Sequence, residues 1–304
     1  MLTDAHCHPF DLSPLFPQME QERRRLGVCA AASSYNMEEF THNEEIARNA
    51  AAENAAPLLL CFGIHPQLPA IKKENGSPFT DSELKSGLET LQNLAVAGKI
   101  AALGEFGFDL YNAAFKETEK TQDALFTAHL EIAINYGLPA VLHVRRAMHK
   151  IFAATKYLSK CKAVIFHSWP GTLEEAHSLL RHGINAFFSF GNTIMLNHKQ
   201  AIQCCSSLPV ERLLTETDAP FQPRKGEKYS SWADLPLILK TIVNLRGESG
   251  SLIDEKDLET QIENNFKNIF TINTKDFTKS TKRQRMQMEQ SSPSLPSSSC
   301  SSLP

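Results

Sequence analysis

The sequence lacks a long apolar run, a CxxC pair and an excess of positive charge, and each absence argues against a class of protein. No apolar stretch approaches the roughly 20 residues that a membrane-spanning helix needs, and no secretory signal pattern opens the chain. The seven cysteines are odd in number and scattered, which argues against a disulfide framework. A formal net charge of −3 gives no overall positive field for nucleic acid. We therefore expect a cytoplasmic protein, or a nuclear one if the source is eukaryotic, with no membrane partner.

The sequence does contain a series of short apolar runs, each followed by a helical pattern. Near-continuous hydrophobicity of this kind is typical of parallel strands that are covered on both faces. The runs occupy residues 1–6, 27–34, 58–65, 101–109, 138–144, 163–167, 185–190 and 213–217. Eight strands that alternate with helices predict an α/β fold, a single-domain (β/α)8 barrel of the TIM type.

An open, doubly wound sheet is the alternative fold. Such a sheet favours a glycine-rich phosphate loop after its first strand, and the segment "DAHCHPFDL" contains no glycine. We assign residues 1–272 to the barrel, with helical patterns continuing through 235–272. Residues 273–304 are basic at first and then rich in serine and proline, so we expect a disordered tail that cannot bury enough apolar area to fold.

Histidines and carboxylates follow six of the eight predicted strands. Alternation along a strand places His6 and His8 on the same face, so both imidazoles can point at one position. The carboxyl ends of barrel strands meet at one end of the barrel, and buried charges there need partners or a metal ion. The residues concerned are His6, His8, His65, Glu105, Asp109, His143, Arg145, His167, Glu216 and Asp218.

The joint pattern predicts a metal site, although each residue alone has a plain structural explanation. The remaining histidines lie in helical or loop contexts, and we expect them to be structural or solvated. They are His42, His129, His149, His177, His182 and His198.

Six motifs, in this order and at these separations, resemble the TatD family of metal-dependent deoxyribonucleases within the wider metallo-dependent hydrolases. The motifs are "DAHCHP", "GIHP", "GEFGFD", "LPAVLHVR", "FHSWPGT" and "LLTETDAP". The resemblance covers roughly residues 1–272. The segments "GEFGFD" and "TETDAP" make it specific, because many amidohydrolases have a carboxylated lysine on the fourth strand instead.

The resemblance implies two divalent metal ions, zinc, manganese or magnesium, that activate a water molecule. It implies that Glu105 bridges the two ions, that one ion is completed by His6, His8 and Asp218, and that the other is completed by His143 and His167. It further places His65 and Arg145 near the substrate phosphate, with Asp109 and Glu216 as supporting residues. Because Asp218 would lie beside the activated water, it is the candidate to accept the proton of that water.

The chain departs from the family pattern on the side expected to face the substrate. Arg146 follows Arg145 where relatives usually have aspartate, and "TDAPFQPRKGEK" replaces a stretch that often begins "TDAPYL". His129 stands where glutamine is common. None of these departures affects a proposed metal ligand. The resemblance therefore predicts the chemistry of the site better than it predicts the substrate.

Three functions remain open at this point. The first is a metal-dependent phosphodiesterase, a 3′ to 5′ exodeoxyribonuclease whose partner is single-stranded DNA, with basic residues near the site at Arg145, Arg146, Arg224 and Lys225. The second is a hydrolase of an ester or amide bond that uses the same metals, such as an aminoacyl-tRNA deacylase or a small-molecule amidohydrolase. The third is a non-catalytic binding protein. No obligate protein partner is inferred.

Overall fold

The computed structural model describes residues 1–73 and 76–270, in which eight parallel strands form one sheet. Consecutive strands are hydrogen-bonded neighbours from the first to the eighth. The strands are β1 (Thr3–Cys7), β2 (Cys29–Ala32), β3 (Leu58–Phe62), β4 (Ala102–Asp109), β5 (Ala140–Arg145), β6 (Val164–Phe166), β7 (Ala186–Phe190) and β8 (Leu213–Thr215). This order confirms the predicted (β/α)8 barrel, because a doubly wound sheet reverses its strand order partway across.

The helices lie between the strands, as alternation predicts. They are α1 (Pro9–Leu12), α2 (Met19–Leu26), α3 (Met37–Ala52), α4 (Asp81–Val96), α5 (Ala113–Glu117), α6 (Glu119–Tyr136), α7 (Met148–Ala153), α8 (Thr155–Leu158), α9 (Leu173–Arg181), α10 (Lys199–Ser207), α11 (Leu235–Glu248) and α12 (Glu255–Phe270). The helical region predicted for residues 235–272 is divided into α11 and α12, because the chain turns at Gly250 with φ +83°. The predicted tail, residues 273–304, lies outside the described residues, and its boundary stays a prediction.

The last helix closes the amino-terminal end of the barrel. One cluster of buried apolar side chains draws on all eight strands and on α12. Its strand members are Ala5, Cys29, Ala31, Cys61, Ala102, Val141, Ile165, Phe187 and Leu214, and its α12 members are Phe266, Ile269 and Phe270. The opposite end of the barrel, formed by the carboxyl ends of the strands, is where barrels of this type have their active sites.

Hydrogen bonds to Asp4 connect β1 with the chain that follows β8. The buried carboxylate of Asp4 accepts hydrogen bonds from the amide of Thr217 at 2.9 Å and from the hydroxyl of Thr217 at 2.6 Å. The amide of Asp218 donates to the carbonyl of His6 at 2.9 Å. These contacts join the two ends of the barrel sequence and place His6 beside Asp218.

In the part of the chain that the structure describes, no helix combines the length and the apolar character that crossing a membrane requires. The six cysteines in the described part of the chain are buried and free.

His129 on α6 is a buried structural residue. Its Nε2 atom accepts a hydrogen bond from the amide of Ile64 at 2.9 Å, and its Nδ1 atom lies 2.7 Å from the carbonyl oxygen of Leu125, to which it donates. The ring also stacks on Phe106, with centroids 4.6 Å apart. Both nitrogens are therefore used by the neutral form, and burial lowers the pKa of His129 to about 4.

This burial makes stability depend on pH through His129. Between about pH 6.5 and pH 4 the unfolded chain binds a proton at this residue and the native protein does not, so stability is lost as the pH falls through this window. In His129→Gln, the amide can accept from Ile64 and donate to Leu125 without titrating. We expect the loss of unfolding free energy between pH 7 and pH 5 to be about 2 kcal/mol smaller in the variant.

Urea unfolding of both proteins at the two pH values measures this difference. The exposed residue His149 provides a control, because His149→Gln should leave the pH dependence of the wild type in place. An equal pH dependence in wild type and His129→Gln would show that folding does not lower the pKa of His129.

Candidate metal centre

Two glycines allow β4 to lie very close to its neighbours at the carboxyl end of the sheet. A Cβ atom on Gly104 would lie 2.6 Å from the Cβ atom of Val141, and one on Gly107 would lie 2.1 Å from the carbonyl oxygen of His143. Their φ values of +149° and +143° are ones that other residues rarely adopt. The register of β4 against β5 also shifts by one residue in this stretch, and such an irregularity re-aims the side chain of Glu105.

The two carboxylate oxygens of buried Glu105 face different pairs of histidines. Oε1 lies 3.3 Å from Nε2 of His6 and 3.3 Å from Nε2 of His8. Oε2 lies 3.2 Å from Nδ1 of His143 and 2.9 Å from Nε2 of His167. One carboxylate therefore connects two pairs of imidazoles, as a ligand that bridges two cations must.

Asp218 adds a second carboxylate to the first pair. Its Oδ1 atom lies 3.5 Å from Nε2 of His6 and 3.4 Å from Nε2 of His8, and the two imidazole nitrogens are 3.0 Å apart. The ligand atoms of these three residues lie within 4.8 Å of one another. The set combines imidazole and carboxylate donors, which suits zinc or manganese better than magnesium.

The second pair is equally compact. Nδ1 of His143 lies 3.1 Å from Nε2 of His167. The clusters overlap, because Glu105 also groups within 4.8 Å with His6 and His167, and again with His65 and His143. These His/Glu/Asp clusters suggest a binuclear metal site.

Asp109 holds His143 in a fixed orientation. Its Oδ2 atom lies 3.2 Å from Nε2 of His143, the nitrogen that faces away from Glu105. Gln67 and the amide of Tyr111 donate hydrogen bonds to the same carboxylate at 2.7 and 2.9 Å. Burial alone would raise the pKa of Asp109, but the hydrogen bonds from His143 and Gln67 hold it below its usual value. A carboxylate behind a ligating histidine is the usual support in metal sites.

Glu216 and Ser33 contact the outer nitrogens of two further histidines. Nδ1 of His167 lies 3.9 Å from Oε1 of Glu216, which accepts a hydrogen bond from the amide of Ser168 at 2.7 Å. Nδ1 of His6 lies 3.2 Å from the hydroxyl of Ser33. These contacts leave the Nε2 atoms of both imidazoles directed at Glu105.

His65 differs from the other histidines at the site in how its two ring nitrogens are used. Its Nδ1 atom accepts a hydrogen bond from the amide of Gln67 at 3.2 Å, and its Nε2 atom lies 3.6 Å from Oε2 of Glu105. Burial lowers the pKa of His65, so the neutral ring carries its proton on Nε2. A protonated Nε2 atom donates a hydrogen bond and cannot ligate a metal, which suits contact with a substrate oxygen.

Only one of the four basic residues predicted near the site reaches it. Arg145 lines the cavity, and its Nη1 atom lies 4.0 Å from Oδ2 of Asp109. Arg224 instead pairs with Asp234 at 2.6 Å. Arg224, Lys225 and Arg146 are absent from the residues that line the cavity.

The electrostatics of the site favour added positive charge. Burial raises the pKa of Glu105 and Asp218, but the surrounding histidines outweigh it and hold both values below the usual range. Burial lowers the pKa of His8, yet the carboxylates of Asp218 and Glu105 raise it to about 10. The carboxylates thus stabilise cationic charge on the imidazoles. Divalent cations would supply that charge to the same atoms, so the residues present fit two such ions.

The centre opens into one large cavity of about 1140 Å³. Five of the six ligand candidates, all except the fully buried His6, line its floor, and the loops after several strands form its walls. Wall residues include Asp11, Tyr35, Leu196, Lys199 and Phe221. The volume accommodates a group as large as a nucleotide.

Sequence reasoning missed several residues that position the ligands. Asp4 joins β1 to Thr217, and Gln67 donates to Asp109. Gln222 donates from Nε2 to Oδ2 of Asp218 at 2.6 Å. The only local signal for Asp4 was its position two residues before His6 in a strand, and Gln67 and Gln222 lie in loops where no periodicity applies.

Comparison with known proteins agrees with this geometry. A family model described as TatD related DNase matches residues 3–271. A protein of Mycoplasma pneumoniae described as an uncharacterized metal-dependent hydrolase is 30% identical over 227 residues, which cover 72% of this chain and 80% of that protein. A 3′-5′ ssDNA/RNA exonuclease TatD of Enterobacter lignolyticus is 30% identical over 194 residues, which cover 60% of this chain and 71% of that protein.

A solved structure extends the similarity to the fold. YJJV, a TatD homologue from Escherichia coli K12, superposes with a TM-score of 0.71 at 25% sequence identity. The superposition covers 90% of this chain and 98% of that protein. The family match covers far more than half of the sequence, and the metal-ligand clusters lie within it. The chain therefore belongs to the TatD family of metal-dependent hydrolases.

Proposed function

We propose that the protein is a phosphodiesterase that removes nucleotides from the 3′ end of single-stranded nucleic acid, most readily DNA. The observation that carries the proposal is the position of Glu105, whose two oxygens each face a pair of imidazoles at the floor of an open cavity. The similarity to 3′-5′ ssDNA/RNA exonucleases supports it, as do His65 and Arg145 on the cavity wall.

The ligand assignment follows from the distances around Glu105. His6, His8 and Asp218 would hold one cation, and His143 and His167 the other, with Glu105 shared. When bound, the pair of divalent cations supplies Lewis acidity to the phosphate and lowers the pKa of a water molecule.

The residues of the chain supply orientation and proton transfer. The Nε2–H group of His65 and the guanidinium of Arg145 would donate hydrogen bonds to the phosphate oxygens, where negative charge increases in the transition state. Asp218 would accept the proton of the attacking water. Gln222, bonded to Oδ2 of Asp218, fixes the orientation of that carboxylate, and Asp109 does the same for His143.

The same donor set could hydrolyse an ester or an amide. The phosphodiester is favoured because His65 and Arg145 offer donors for an anionic group, and because exonucleases are among the relatives. A non-catalytic binding protein is disfavoured because all six candidate ligands belong to overlapping clusters and five of them line one cavity.

Release of nucleotides from labelled single strands tests this function. With zinc or manganese bound, the protein should release mononucleotides from a 3′-labelled DNA oligomer and shorten a 5′-labelled one stepwise. When either labelled strand is part of a blunt duplex of the same sequence, it should be degraded much more slowly. Hydrolysis of p-nitrophenyl acetate without any hydrolysis of the oligomers or of thymidine 5′-p-nitrophenyl phosphate would transfer the assignment to the ester hydrolase.

Glu105→Gln should remove both cations and abolish turnover. The neutral amide keeps the volume of the side chain but cannot donate two anionic oxygens to two cations. Metal content after dialysis, measured by mass spectrometry, should fall from two ions per chain in the wild type, while circular dichroism shows an unchanged fold. Glu89→Gln, at an exposed carboxylate on α4, is the matched control. Full activity in Glu105→Gln would disprove the bridging role.

Asp218→Asn should lower kcat by about 10²- to 10⁴-fold with a small change in KM, because the amide cannot accept the proton. Steady-state kinetics on the DNA oligomer, together with metal content, separate the two roles of the residue. If the loss in rate were matched by loss of metal and recovered with excess metal, Asp218 would be a ligand and not the proton acceptor.

A further inference from the structure

A cationic aromatic surface lies beside the candidate metal centre, and of its three residues only Arg145 has a role in the assignment above. Tyr111 follows β4 and is 44% exposed. The guanidinium carbon of Arg145 lies 3.7 Å from the centroid of the Tyr111 ring, and that of Arg146 lies 4.5 Å from it. We call these three residues the Tyr111 platform.

The backbone of Arg146 explains how both arginines reach one ring. Successive residues of a strand point to opposite faces, so Arg145 and Arg146 would diverge if β5 continued. Arg146 instead has φ +55°, in the left-handed region, and the chain turns there. Its Nη1 atom also lies 3.5 Å from the carbonyl oxygen of Tyr111.

The two guanidinium groups are short of negative partners. The nearest carboxylate oxygen to Arg145 is Oδ2 of Asp109, at 4.0 Å, and that oxygen already accepts from Gln67. Among the described residues, no carboxylate lies within 4.0 Å of Arg146. A guanidinium stacks on a ring through its flat face. The N–H groups at the edge of the guanidinium then stay free to bind phosphate.

The platform is continuous with the candidate active site. Arg145 lines the cavity, and Asp109 contacts both Arg145 and His143. Arg146 does not line the cavity and is exposed, so it lies further out along the same wall. A chain of phosphates that leaves the metal centre past Arg145 would meet Arg146 next.

We propose that the Tyr111 platform binds the phosphates of the substrate strand on the 5′ side of the scissile phosphate, with Arg146 holding the outer one. The inference rests on the proposed function, because it assigns the path of the same strand. Single-stranded DNA and RNA share these phosphates, so the platform should bind both. Tyr111 is a positioning residue here, since its ring holds the guanidinium groups in place.

Binding of a nuclease-resistant strand tests the platform without hydrolysis. The probes are fluorescein-labelled, phosphorothioate-linked 12-mers of thymidine and of uridine, and the readout is fluorescence anisotropy of the metal-loaded full chain over a range of salt. Arg146→Ala should weaken binding of both 12-mers roughly fivefold at low salt. It should also lower the slope of log Kd against log salt by about 0.7, the value for one lost phosphate contact on a single strand.

Further variants separate positioning from general charge. Tyr111→Leu should weaken binding as much as Arg146→Ala, Tyr111→Phe should restore it, and the double variant Tyr111→Leu/Arg146→Ala should lose little more than either single one. Arg25→Ala is the matched control, because Arg25 is exposed in the last turn of α2, at the amino-terminal end of the barrel. It should leave both the affinity and the salt slope unchanged.

Turnover distinguishes failure of the platform from failure of the proposed function. The ratio of kcat/KM for an ordinary 12-mer to that for thymidine 5′-p-nitrophenyl phosphate, which has one phosphodiester, should fall in Arg146→Ala. If the wild type hydrolyses both substrates and the variant changes neither the ratio nor the Kd, the platform is wrong and the function stands. If the wild type hydrolyses neither, the function is wrong, and a loss of binding in the variant would still support the platform. A loss confined to DNA or to RNA would overturn phosphate recognition.

Discussion

The structure of the site depends on one buried carboxylate surrounded by imidazoles. Five histidine rings lie within 3.6 Å of the Glu105 oxygens, and a charge in such a position is costly unless cations or donors compensate it. The five rings lie on or just after β1, β3, β5 and β6, whereas Glu105 lies on β4. Only a closed arrangement of parallel strands brings these ends around one point, so the barrel is a condition for the site and not merely its support.

The sheet is irregular where the site is built. β4 carries an extra residue against β5. Its glycines at 104 and 107 lie so close to β5 that a Cβ atom at either position would collide with it. A register shift also occurs in β1, between Asp4 and Cys7, just where His6 must point inward. Alternation along a strand is enough to place His6 and His8 on one face, and the irregularity in β4 re-aims Glu105 toward them.

The sequence was sufficient to predict the strands, their order and a group of histidines and carboxylates that the structure brings together at one end of the barrel. Buried parallel strands have a strong apolar signature, and histidines or carboxylates at their ends contrast sharply with it. The supporting hydrogen bonds could not be predicted, because Asp4 and Thr217 are 213 residues apart and neither has a local pattern. Arg224 was expected near the site because no local pattern shows its ion pair with Asp234. That ion pair holds Arg224 in the segment after β8, outside the lining of the cavity. The turn between α11 and α12 was missed because the apolar spacing continues on both sides of it.

The chemistry and the choice of substrate are held by different parts of the barrel. The candidate ligands are positioned by hydrogen bonds between strand ends, and the loop after β8 is connected to the loop after β6 by the bond between Ser168 and Gln222 at 2.9 Å. Such cross-links restrict where the reacting groups can lie, whatever bond is hydrolysed. The loops after β4 and β5 carry Tyr111 and Arg146, which are both exposed and stack on each other, with the guanidinium carbon of Arg146 4.5 Å from the centroid of the ring. Residues in these loops can therefore vary without disturbing the candidate metal ligands at the strand ends, so substrate binding and the chemistry of the site can change separately.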